Sequence, residues 1–133
     1  MSILLDTHVW IWSQEAPERM GRRARSRIER ADQKLHVATI SALEIARLIH
    51  VGLLEIEGSL EAWITDSLEA LQCVEIEMSR KAAIDAYQLP GTFHKDPADR
   101  VLVATAREHG LTLVTADERI LAYRAVKTVD ARR

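Results

Sequence analysis

Five carboxylates stand where an α/β chain gathers its chemistry. Asp6 follows the apolar run Ile3-Leu4-Leu5, and Asp117 follows Leu113-Val114-Thr115-Ala116. Glu44 lies in Ser41-Ala42-Leu43-Glu44, and Asp96 and Asp99 lie in Asp96-Pro97-Ala98-Asp99, both of which read as helix openings. Each acid has a purely structural explanation. Ser41-x-x-Glu44 reads as a capping box, Asp96-Pro97 as an N-cap followed by proline, Asp99 as a first-turn acid favoured by the helix dipole, and Asp6 and Asp117 as turn residues. Together they ask for more. Carboxylates held close repel and raise one another's pKa, so a fold converges them when a cation offsets the repulsion. Hard oxygen ligands select Mg²⁺ or Mn²⁺. Such a cation suits phosphate ester hydrolysis, because it acidifies water and neutralises charge on the leaving oxygen.

Competing chemistries find little support. His8, His36, His50, His94 and His109 are scattered without an H-x-x-x-H pair, which argues against zinc. Cys73 is the only cysteine, which excludes a disulfide framework and a cysteine zinc site and suggests a reduced, cytoplasmic setting. Neither G-x-x-x-x-G-K nor G-x-G-x-x-G occurs, so a phosphate-cradling loop is not expected.

The elements that must position these acids follow from short apolar runs alternating with helical patterns. Strands are expected at Ser2–Leu5, Leu35–Thr39, Cys73–Ile76, Thr112–Thr115 and, weakly, Val126–Val129. Helices are expected near Val9–Ser13, Glu18–Arg30, Ala42–Ile49, Leu60–Ala70, Arg80–Tyr87, Pro97–His109 and Glu118–Ala122. This alternation predicts an α/β fold, with a mainly parallel, roughly five-stranded sheet covered on both faces. Ligands of such sheets bind beyond the carboxyl ends of the strands, where Asp6 and Asp117 fall. The 133 residues suit one domain, 1–133. Neither a membrane span nor a signal peptide is expected.

The net charge of −2 hides a division. Residues 1–34 sum to +2, residues 35–78 to −7 and residues 79–133 to +3. That pattern excludes a uniformly basic nucleic-acid coat, but leaves room for an acidic crevice with basic edges. Arg22, Arg23 and Arg25 crowd one helix, either as a solvated face or as phosphate contacts. Arg47, Lys95 and Arg100 lie closer to the acids in sequence and are the better candidates to touch the scissile region of a phosphate ester. Trp10, Trp12 and Trp63 are read as core or dimer contacts rather than a stacking platform.

The opening Ile3-Leu4-Leu5-Asp6-Thr7-His8-Val9-x-x-Trp12 and Ser41-x-x-Glu44 resemble PIN-domain ribonucleases. His94-x-Asp96-Pro97-x-Asp99-Arg100-x-Leu102-x-Ala104-x-Ala106 is similar to the third motif of the VapC toxins of type II toxin–antitoxin pairs. Gly110-Leu111-x-Leu113-Val114-Thr115-x-Asp117 resembles their fourth. The motifs keep the family's order over essentially the whole chain. Thr105 stands where many relatives carry Gln. The resemblance implies a PIN-like three-layer α/β/α fold and a Mg²⁺- or Mn²⁺-dependent endoribonuclease. It implies Asp6, Glu44, Asp99 and Asp117 as the acidic quartet, with Asp96, Thr115 and Thr7 in support. It further implies a VapB-like antitoxin and a homodimer. The alternatives are a PIN-type nuclease for RNA processing without an antitoxin, and a non-catalytic RNA-binding module.

Overall fold

The computed structural model describes residues 2–30 and 32–133. Strand β1 (Ser2–Leu5) leads into helix α1 (Thr7–Glu15), a 3-10 turn (Pro17–Arg19) and α2 (Arg22–Glu29). Then come β2 (Lys34–Ala38), α3 (Thr39–His50), α4 (Leu60–Leu71) and β3 (Val74–Ile76). The chain continues through α5 (Arg80–Asp85), α6 (Pro97–His109), β4 (Thr112–Thr115), α7 (Glu118–Leu121) and β5 (Thr128–Asp130). The five strands form one sheet in the order β3-β2-β1-β4-β5, and every pairing is parallel.

Strand β1 is central, with Ile3 opposite both Leu35 and Thr112. Successive side chains point to opposite faces, and here both faces are dry. Ile3 and Leu5 pack with Val9, Trp10, Val37, Ile45 and Val114 on one side. Leu4 packs with Leu102, Val103, Leu113 and Ile120 on the other. Burying each of these aliphatic side chains contributes about 1.5–3 kcal/mol, so the unbroken apolar character of β1 follows from its position. Helices α1, α2 and α4 cover the first face, and α6 and α7 cover the second. The result is the expected three-layer α/β/α arrangement. Trp10 is fully buried, and its indole N–H donates to Ser67 Oγ at 2.9 Å.

Several boundaries differ from the sequence expectation. The predicted helix Glu18–Arg30 is broken after Arg19, because residues 131–133 cross at Gly21. The predicted strand ending at Thr39 stops at Ala38, and Thr39 already opens α3. Ser41 therefore lies inside the helix and caps nothing, so the capping-box reading of Glu44 falls. Strand β3 starts at Val74 rather than Cys73, and β5 is shifted to Thr128–Asp130. Helix α5 ends at Asp85, short of Tyr87. Helix α6 matches its predicted bounds, closed by Gly110 at φ 63°, where a side chain would be strained.

Candidate active site

The sheet order reverses at β1, whose neighbours on either side are β2 and β4. At such a switch point the connections leave in opposite directions and a crevice opens beyond the carboxyl ends of the strands. A cleft of about 460 Å³ lies there. It is lined by Asp6, Glu44, Asp96, Asp99 and Asp117, so all four members of the predicted quartet and Asp96 share it. Thr7 lines it too.

Local structure fixes each acid. Asp6 follows β1 as the N-cap of α1, and its Oδ1 accepts the Val9 N–H at 2.9 Å. Its Oδ2 accepts the Thr115 hydroxyl, which in turn accepts the Asp117 N–H at 3.0 Å. Asp117 is the N-cap of α7, accepting the Arg119 N–H at 2.8 Å, and its Oδ2 lies 3.1 Å from Arg119 Nη2. Asp96 caps α6 by accepting the Asp99 N–H at 3.1 Å. Glu44, one turn into α3, accepts the Thr7 hydroxyl at 2.9 Å, and Ser41 Oγ lies 2.8 Å from the same hydroxyl. The capping readings of Asp6, Asp96 and Asp117 thus hold alongside their convergence. Three helix N-termini with partial positive charge aim at one crevice, and this helps it tolerate the acids.

The electrostatics record the crowding. Burial, followed by the charges of Asp96, Glu44, Asp117 and Asp6, pushes the Asp99 carboxyl up to about 7. Burial also raises Asp6, whose side chain is nearly sealed from solvent, although the Thr115 and Val9 hydrogen bonds pull the other way. Burial acts on Asp117 in the same direction, but the Arg119 hydrogen bonds and charge outweigh it and hold that carboxyl below the ordinary range.

His94 is the residue that sequence reasoning passed over. Its Nε2 lies 3.0 Å from Asp99 Oδ2. That contact is not a hydrogen bond, and the buried nitrogen has no hydrogen-bond partner among the described residues. Burial lowers its pKa, with the Arg119 charge adding to the effect. One ligand atom each of His94, Asp99 and Asp117 lie within 4.8 Å of one another, a group able to hold a metal ion. The signal was present in the sequence, since His94 stands two residues before Asp96. Among five scattered histidines it was weighed only against a zinc site, and as the opening residue of the third motif it was given no role.

The predicted RNA contacts divide. Arg47 lines the cleft. Lys95 is exposed next to Asp96 and does not line it. Arg100 is turned away: its guanidinium donates to the Ala86 and Phe93 carbonyls, both at 2.9 Å, and lies over the Tyr87 ring. It ties down the loop that delivers His94 and Asp96, because those carbonyls have no strand or helix partner to accept from. Arg22 and Arg25 line a separate shallow groove along α2 with Arg30, and Arg23 lines neither. Arg19, Arg119 and Arg132 do line the acid cleft, as does Trp12. Arg119 was recoverable from its place two residues after Asp117. Arg19 and Arg132 are brought in by tertiary structure alone.

A PIN domain family model matches residues 3–126. The chain belongs to the PIN domain family. Over 128 residues, covering 96% of each chain, this PIN domain is 38% identical to Ribonuclease VapC22 of Mycobacterium tuberculosis. Among solved structures, its fold is similar to VapBC2 from Rickettsia felis bound to a DNA fragment from their promoter. The TM-score is 0.71 at 14% identity, covering 97% of this chain and 98% of that one. It is also similar to a toxin–antitoxin complex from Klebsiella pneumoniae, with a TM-score of 0.64 at 19% identity over 97% of each chain. No helix among the described residues of this PIN domain is long and apolar enough to cross a membrane.

Proposed function

We propose that this PIN domain, spanning residues 1–133, is a metal-dependent endoribonuclease and the toxin of a type II toxin–antitoxin pair. The observation that carries the reading is the convergence of Asp6, Glu44, Asp99 and Asp117 on one cleft at the sheet switch point. The identity to a named ribonuclease along nearly the full chain supports it. The donor set fits a divalent cation. It is mostly carboxylate oxygen, it includes an unpartnered His94 nitrogen, and it drives Asp99 towards protonation in the absence of a counter-charge. Oxygen ligands favour Mg²⁺ or Mn²⁺.

Asp99 and Asp117, with His94, would hold the cation, and Asp6 and Glu44 would complete its surroundings. When bound, the cation acidifies water and offsets charge on the phosphate. The protein's own groups do the rest. Thr115 and the Val9 N–H fix the Asp6 carboxylate so that its free lone pairs face the cleft. Thr7 holds Glu44 within reach of an attacking water, as a base or an orienting acceptor. Asp96 orients the first turn of α6 and so places Asp99. Arg47 stands at the rim to meet a phosphate.

The partner would be a VapB-like antitoxin. One of its basic side chains, inserted among the carboxylates, would satisfy their charge and exclude the cation. A homodimer and a cytoplasmic location complete the reading.

The test is cleavage of cellular RNA by the purified protein with Mg²⁺ or Mn²⁺, abolished by chelation and by Asp99→Asn. Induction of the chain in cells should arrest growth, with relief by the product of an adjacent small gene. Intact RNA with either metal would overturn the nuclease assignment. Cleavage without growth arrest would leave an RNA-processing nuclease.

A further inference from the structure

After β5, residues 131–133 leave the sheet and cross the chain at Gly21. The Ala131 N–H donates to the Thr115 carbonyl at 2.8 Å, and the Gly21 N–H donates to the Ala131 carbonyl at 2.9 Å. The Arg23 N–H donates to Arg133 O at 2.9 Å. A Cβ on Gly21 would lie 2.1 Å from the Arg133 carbonyl carbon, closer than atoms can approach. The crossing therefore requires glycine, and Ala131 within it is fully buried. It is a built junction, fixed on both strands by backbone hydrogen bonds.

On either side of that junction stand Arg19 and Arg132, and both line the acid cleft. Their partners set them apart from the other cleft arginine near the sheet. Arg119 is committed to Asp117 by a fork of contacts. Among the described residues Arg132 makes only loose ion pairs, 3.5 Å to Glu118 and 3.6 Å to Asp130. Arg19 has no carboxylate partner among the described residues, and its guanidinium lies 4.9 Å from the centroid of the Trp12 ring. Stacking of that kind orients a guanidinium and leaves its N–H fork free.

A cleft rich in carboxylates repels a polyanion. It can admit a phosphodiester strand only if cations flank the path. We propose that Arg19 and Arg132 form a phosphate subsite that grips a single RNA strand beside the carboxylates, held together by the crossing at Gly21. The proposal rests on the ribonuclease reading and names residues that reading leaves unused. Guanidinium suits the task because it meets phosphate oxygens bidentately.

The test uses the full-length protein and a labelled, unstructured RNA of mixed sequence. Binding is measured by anisotropy against KCl concentration in EDTA, and cleavage kinetics are measured with Mn²⁺. Arg19→Ala and Arg132→Ala should each flatten the slope of log Kd against log salt by about 0.7. Each should raise KM by roughly tenfold while kcat holds, because binding common to ground and transition states is lost. Arg132→Lys should restore the salt slope but not all of KM. Arg80→Ala, an exposed arginine that does not line the cleft, should match the wild type. Wild-type slope and KM in both alanine variants, with a wild type that binds and cleaves, would overturn the subsite alone. A wild type that neither binds nor cleaves RNA would remove the ribonuclease reading and the subsite with it.

Discussion

Thr115 donates its hydroxyl to Asp6 Oδ2, joining the ends of two neighbouring strands whose residues lie 109 positions apart. The Thr115 hydroxyl oxygen also accepts the Asp117 N–H, so one buried threonine holds two carboxylates in register. Thr115→Val keeps the shape and removes the hydroxyl. It should cost about 1–3 kcal/mol, since a buried acceptor and a backbone N–H both lose their partner. It should also reduce RNA cleavage. Thr115→Ser should recover both properties. Urea denaturation and kcat/KM give the two readings, and a stable, fully active Val variant would show that the link is dispensable.

Asp6→Asn and Asp99→Asn should each lower cleavage by a factor on the order of 10² or more, as loss of a positioned charge in an active site does. The fold should survive, because neither substitution changes volume. At pH 8 Asp99→Asn should raise the melting temperature of the metal-free protein, since it removes a charge disfavoured by burial and by Asp96, Glu44, Asp117 and Asp6. Circular dichroism melts and a gel-based cleavage assay check the pair. Wild-type rates in both variants would remove these residues from the chemistry.

Stability of the metal-free protein should fall as pH rises. Asp99 titrates near 7 in the folded chain, against an ordinary value of 3.8. Between those values the unfolded chain has released a proton that the folded chain keeps, so folding becomes less favourable with each increment of pH. Asp6 is shifted in the same direction and adds to the slope. Asp117, held low by Arg119, contributes the opposite slope below the ordinary carboxylate range, and His94, held low by burial, opposes the fall in part below pH 6.5. Melting temperatures at pH 5 and pH 8 should therefore differ, with the lower value at pH 8. Asp99→Asn should narrow the gap, and Mg²⁺ or Mn²⁺ should close much of it by binding the folded state. A gap that Asp99→Asn leaves unchanged would place its origin elsewhere.

Arg100→Ala should behave as a stability variant. Its two hydrogen bonds to the Ala86 and Phe93 carbonyls hold the loop before α6, and losing them should cost about 1–3 kcal/mol. The salt dependence of RNA binding should stay that of the wild type, because the guanidinium does not line the cleft. A flattened salt slope would return Arg100 to the list of phosphate contacts.

Much of this was legible in the chain itself. The Ser2–Leu5 and Thr112–Thr115 strands and the Pro97–His109 helix were readable to the residue, because their ends carry strong local signals: an aspartate after an apolar run, a proline at the first helical turn, a glycine at the last. The acids Asp6, Asp99 and Asp117 stood out by falling at those ends. Glu44 was harder, since Ser41-x-x-Glu44 imitates a cap. Only the early start of α3 at Thr39 exposes the imitation. The break after Arg19 and the arrival of Arg132 in the cleft were not legible, because both depend on a crossing between the two ends of the sequence. Arg100 misled because proximity in sequence to Asp99 does not fix which way a long side chain turns.

The central position of β1 has a consequence for biosynthesis. Its residues leave the ribosome before the rest of the sheet, so Ile3, Leu4 and Leu5 must wait for Thr112, Leu113 and Val114 before their second edge is paired. Until then Asp6 lacks the Thr115 hydroxyl, and the wall carrying Arg132 does not exist. A chain cut short in translation would carry Asp6, Glu44 and Asp99 without the cleft that gathers them. A ribosome making this protein is thus spared an assembled acid cleft on the nascent chain until β4 and β5 have been made.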